Sequence, residues 1–210
     1  MDPHIRQQSP AASSPIFSDT LSSWLKTSDN KTLSGLSQVF GEKAFAIIFL
    51  LMMALPALPI PTGGITHLTE LITMLVSLQL IIGRRTVWLP DKWLHRDISK
   101  FLKGRGLKRL VAVIVWFEGF SKRRLGNLLT RRPVLSVLGL AVLIFTVAAF
   151  VAPPFSGLDT LPALGVVVIS LALILEDVLV VLVGILVGLI GIILEIATGA
   201  ALYNGIGHFF

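Results

Sequence analysis

The sequence predicts an all-α integral membrane protein: about five hydrophobic membrane segments, two repeated Pro/Gly-broken helical hairpins and an interfacial amphipathic connector. Three observations carry this. Of 210 residues, 54% are hydrophobic and 14% charged, where a soluble domain carries about a quarter charged. Mean hydropathy is +0.83, and the apolar residues come in long runs. Of the 18 Lys and Arg, 14 lie between Arg84 and Arg132 and none follows Arg132, the pattern of a cytoplasmic face between membrane segments.

The chain divides into a disordered or amphipathic region, 1–36, and a single membrane domain, 37–210. Residues 1–15 are polar, and 1–31 lack the apolar core of a signal peptide. Weak helical periodicity follows at Phe17, Leu21, Trp24 and Leu25, and again at Leu33, Leu36, Val39 and Phe40. Residues 44–59 form the first membrane segment, only ~24 Å long against a hydrocarbon core of ~30 Å. It spans a thinned bilayer or dips and returns. The second, 65–83, follows the break PALPIPTGG, which no continuous helix tolerates.

Residues 84–109 are basic, with Trp88 and Trp93 as interface anchors. The apolar stretch 110–117, at roughly 12 Å, is too short to cross and lies in the interface or forms a shallow re-entrant helix. Segments 133–152, 158–175 and 178–203 complete the set, the last long enough to tilt. The basic stretch 84–132 places that side and the N-terminus in the cytoplasm. The two breaks and the C-terminus then lie outside.

Sliding the chain by 93 positions puts Pro61 on Pro154, Gly64 on Gly157, Ser77 on Ser170 and Ile81 on Ile174 without a gap. This predicts two repeats, about 40–90 and 133–183, joined by the basic connector 91–132 and followed by the terminal helix 178–203. Paired Gly/Pro-interrupted segments in two halves point to a transporter's substrate site, or are ordinary short hairpin turns, where Pro and Gly are expected anyway.

Several motifs carry a family resemblance: FGEKAFA at 40–46, ALPALPIPTGG at 54–64, LQLIIGRRTVWLP at 78–90, VWFEGFSKRR at 115–124, APPFSGLDTLPALGVVVISLALILED at 152–177 and VLVVLVGILVG at 178–188. Together they resemble the ExoD family. The resemblance implies a bacterial inner-membrane protein, multi-pass, tied to exopolysaccharide production and more loosely to envelope or pH tolerance. It implies no defined reaction. The family's second hairpin usually carries an acidic pair with an intervening basic residue, whereas here Glu176 and Asp177 are adjacent.

Candidate ion- or substrate-binding residues are Pro61, Gly63 and Gly64 with Pro154 and Gly157 at the breaks, and the ionisable residues His67, Glu70 and Glu195. An intramembrane ionisable residue is a functional hypothesis by default. Glu70 lies one turn after His67, so the two share a helix face, where a carboxylate beside an imidazole can carry a proton or bind a cation. Asp159 is expected to cap the fourth segment, and Glu176 and Asp177 to sit at a cytoplasmic turn. Gly184, Gly188, Gly191, Glu195 and Gly199 share one helix face, a small-residue face suited to a helix interface or a homo-oligomer. Arg84, Arg85, Arg131 and Arg132 are weaker candidates for lipid or phosphate heads, since topology alone accounts for them.

No cysteine is present, and no phosphate loop, HExxH or GxSxG motif. The expectation is no metal, no cofactor, no nucleic-acid partner and no enzyme. Two functions remain: a small ion-coupled transporter with its site at the breaks, or a non-catalytic membrane scaffold or regulator of exopolysaccharide machinery.

Overall fold

In a computed structural model the described residues are 40–59, 65–88, 126–153 and 156–207, with residues 23, 112, 115 and 116. The N-terminal region 1–36 (Ser23 apart), the break residues Pro61, Gly63, Gly64 and Pro154, and most of the connector 91–132 lie outside them. The described residues are helical, without strands: α1 Lys43–Met53, α2 Ile65–Ile81, α3 Gly126–Leu129, α4 Arg132–Val151, α5 Thr160–Leu175 and α6 Val178–Gly207.

Helix α1 is apolar all round and almost wholly buried, from Ala44 to Leu51 and again at Met53. A helix with that pattern belongs at the centre of a packed structure. It packs against α2 and α5, α2 packs on α4, α4 on α5, and α5 on α6. Its 11 residues reach only ~16 Å, so the expected first span, 44–59, becomes a short inner helix followed by turns. Two helices, α4 and α6, are long and apolar enough to cross a membrane; α1, α2 and α5 are apolar but shorter. Among the described residues, length and composition therefore support two crossings, and the expected five are not reached by this measure.

Polarity in α2 is reversed relative to a soluble helix. Thr66, Glu70, Thr73 and Ser77 are buried, while Leu68, Leu71, Leu75, Leu78 and Ile82 are exposed. In water this arrangement would leave apolar surface wet and polar groups dry; against acyl chains it is the stable one. The buried hydroxyls turn back on their own helix: Thr73 Oγ1 donates to Thr69 O and Ser77 Oγ to Met74 O, each at 2.8 Å. No hydroxyl proton is left without an acceptor at these two positions.

Positions 93 apart occupy matching places. Glu70, Thr73, Val76, Ser77, Gln79 and Leu80 are buried in α2, and Ala163, Val166, Ile169, Ser170, Ala172 and Leu173 in α5. Both helices end alike. Gly83 and Glu176 have positive φ, and the following N–H returns to a carbonyl five residues back, Arg84 to Gln79 and Asp177 to Ala172. That is a Schellman ending. Each hairpin also donates to the other's helix end. Ser136 Oγ reaches Ile81 O at 3.0 Å, and Lys43 Nζ reaches Ile174 O at 3.4 Å.

The glycine face of α6 is filled from within the chain. A Cβ on Gly191 would lie 2.5 Å from Pro162 and on Gly184 2.8 Å from Ile169, and one on Gly188 would run into the Phe145 ring. The small residues that suggested a homo-oligomer thus let α5 and α4 approach closely; only Gly199, with nothing within 4 Å, is open.

Candidate functional site

The ionisable residues predicted from sequence gather at the break end of the bundle. His67 and Glu70 sit in the first turns of α2, and three residues of separation bring them together. His67 Nδ1 lies 2.9 Å from Glu70 Oε2, with the imidazole 37% exposed and the carboxylate side chain 0% exposed. The His67 ring meets Phe150 of α4 edge-on, centroids 5.0 Å apart. Glu70 Oε1 is buried without a hydrogen-bond partner among the described residues, and so is Glu195 Oε1. A buried carboxylate oxygen without a donor is expensive and is not kept for stability.

Asp159 joins them. It was expected to cap α5, but its side chain makes no capping hydrogen bond and its backbone is already helical. Its charge acts on both Glu70 and Glu195. The seating of Gly191 on Pro162 explains the meeting with Glu195, which lies one turn beyond Gly191 in α6. Asp159 lies about one turn before Pro162, immediately ahead of the antiparallel α5. Nothing in the local sequence distinguishes Asp159 from an ordinary cap, so it is a member that sequence reasoning missed. Gly157 stands nearby with φ +70, a conformation that L side chains rarely adopt.

The opposite end holds a different arrangement. Glu176 Oε1 lies 2.6 Å from Lys43 Nζ, side chains 31% and 21% exposed for Lys43 and Glu176. The basic partner absent from the acidic pair's own turn is supplied by α1. Asp177 does separate work: its Oδ1 accepts from Leu179 N at 3.0 Å, capping the start of α6. Beside the Lys43 pair is a cavity of about 40 Å³, lined by Glu42, Thr130 and the apolar side chains of Phe45, Leu80 and Leu135 among others. That volume accommodates about three waters. Arg85 approaches Glu42 only to 3.8 Å and is 70% exposed. Arg84, Arg131 and Arg132 are exposed and far in sequence from the carboxylates of the break end. The arginines therefore do not join the candidate site.

Gln79 was also missed as a structural residue. Its Nε2 donates to Trp88 O at 2.8 Å and its Oε1 accepts from Trp88 N at 2.6 Å. One side chain thereby satisfies both backbone groups of the tryptophan where the chain leaves α2. Among the described residues no three His, Cys, Asp or Glu side chains are grouped to hold a metal ion.

Fold and site define a class: a helical bundle with apolar outer surfaces and a dry, half-partnered carboxylate set against a histidine. The chain matches the family model described as "Exopolysaccharide synthesis, ExoD" over residues 17–197, and it belongs to that family. It is also similar to the uncharacterized protein slr1875 of Synechocystis sp., 27% identical over 201 residues, covering 90% of each chain. No solved structure matches the chain.

Proposed function

We propose that this protein is a small ion-coupled transporter of the bacterial inner membrane that serves exopolysaccharide synthesis or export, and that it is not an enzyme. In this reading α4 and α6 cross the bilayer. The shorter α1, α2 and α5 pack beside them, α1–α2 and α4–α5 being two copies of one hairpin, and the basic stretch 84–132 faces the cytoplasm. The observation that carries it is Glu70: 0% exposed, one oxygen on His67 and the other without a partner among the described residues. Such a group is retained for what it binds. Membership in the exopolysaccharide synthesis family supplies the physiological setting.

The test is reconstitution of the purified protein in liposomes with an interior pH dye and an imposed ion gradient. Flux above that of empty liposomes, lost in both Glu70→Gln and Glu195→Gln, is the expected result. Full activity in both variants would sink the carboxylate mechanism. A protein that moves no solute but co-purifies with the polysaccharide machinery would favour a scaffold or regulator instead.

A further inference from the structure

We propose that His67 and Glu70, under the charge of Asp159, form a proton-binding site, loaded from the break end through His67. The proposal rests on the transporter reading for its use and deepens it by naming the coupling ion.

Glu70 is wholly enclosed, and its only described hydrogen bond is to His67. Its second oxygen has no donor among the described residues, and Glu195 has one oxygen in the same condition. Two carboxylates left this way bear a desolvation cost, and among the described residues no lysine or arginine forms an ion pair with either. Other groups facing Glu70 do not relieve it. The turn before α5 contributes Asp159, an added negative charge that acts on both Glu70 and Glu195. Phe150 of α4 is apolar and touches the imidazole. The one cation of α1, Lys43, is paired with Glu176 at the far end. The arrangement asks for positive charge, and the occupant must be small. A proton fits, because the described His, Asp and Glu side chains do not converge three at a time on one point as a metal ion requires.

His67 is the entry. Its side chain is partly exposed while Glu70 is not, so a proton arriving on the imidazole has a direct partner. The Nδ1–H bond breaks, the proton passes to Glu70 Oε2, and imidazolium and carboxylate become neutral imidazole and carboxylic acid. Asp159 and Glu195 take no part in that bond change. Asp159 acts on Glu70 through its charge alone.

Infrared difference spectra of the full chain in nanodiscs, recorded over the pH range in which it stays folded, test this. A carboxylic C=O band that shifts in heavy water and disappears in Glu70→Gln is expected. Asp159→Asn should move the pH at which that band titrates, and sodium in place of choline should leave it unchanged. A carboxyl band unaffected by Glu70→Gln, a titration indifferent to Asp159→Asn, or a band displaced by sodium would each overturn the proposal. If Glu70→Gln does not fold, Glu70→Asp replaces it and must alter the band's frequency; an unaltered frequency counts against the proposal. Intact bands with no flux in liposomes would remove the transporter reading and leave the proton site standing. Flux without the bands would do the reverse.

Discussion

Gly83 and Glu176 end their helices in the same left-handed conformation, with φ of 83° and 58°, 93 positions apart. Glycine adopts this conformation freely, whereas a residue with a Cβ loses about 1–2 kcal/mol. Glu176 is therefore present for its side chain, which reaches Lys43 across the hairpin boundary at 2.6 Å.

Glu176→Gly should relieve the backbone cost and remove the ion pair at once. A partly exposed pair contributes about 0.2–1 kcal/mol, so the melting temperature should change little or rise. In a Lys43→Met background, where no pair remains to lose, the same substitution should stabilise by about 1 kcal/mol. Thermal melts of the four proteins in detergent form the cycle. A large loss in the Lys43 protein would mean that the pair is worth far more than its exposure suggests.

Gly83→Ala should move the other way. The alanine must take a positive φ where no neighbour lies within 4 Å, so the cost is conformational rather than steric. A destabilisation of about 1–2 kcal/mol is expected in the same melts. No change would show that the α2 ending relaxes to an ordinary helical turn.

The small-residue face of α6 gives a graded series. Gly188→Leu and Gly191→Leu place bulk where Phe145 and Pro162 already lie, and each should destabilise by about 1–3 kcal/mol or more. Gly199→Leu meets open space and should be tolerated. Size-exclusion profiles after graded heating distinguish the three, and equal behaviour would refute the packing of α6 on α5 and α4.

Gln79→Ala should free the backbone of Trp88, which now has both its N–H and C=O tied to one side chain. Each lost hydrogen bond contributes about 0.5–1.5 kcal/mol. The measurement is hydrogen exchange at the Trp88 amide together with tryptophan fluorescence. Protection unchanged from the parent protein would mean that other groups hold this exit.

Much of this organisation could be read in the residues. Apolar runs marked α2, α4, α5 and α6, and the breaks near Pro59 and Pro153 marked where they stop. The spacing of His67 and Glu70 was enough to pair them, because one helical turn fixes that contact locally. Contacts between distant segments were not legible. Lys43 and Glu176 are 133 positions apart, and nothing in either neighbourhood names the other. Asp159 looked like a cap because an Asp before an apolar helix usually is one, and only the approach of α6 to α5 gives it other neighbours. The glycines of α6 announced a close approach without saying to what, and here the partner is the chain's own α5 and α4. Helix α1 was read as too long because Ala54 to Leu58 continue its apolar character while prolines end its hydrogen bonding.

The cross-hairpin donors have a further consequence. Ser136 and Lys43 hold matching carbonyls, Ile81 and Ile174, with unlike chemistry. The serine tether is short and neutral, so dissolved salt leaves it alone. The lysine tether carries a charge at a partly wetted surface, where ions compete for both its ends. Concentrated electrolyte should loosen one seam of the bundle and spare its twin, so that two halves of matched backbone part from one side only.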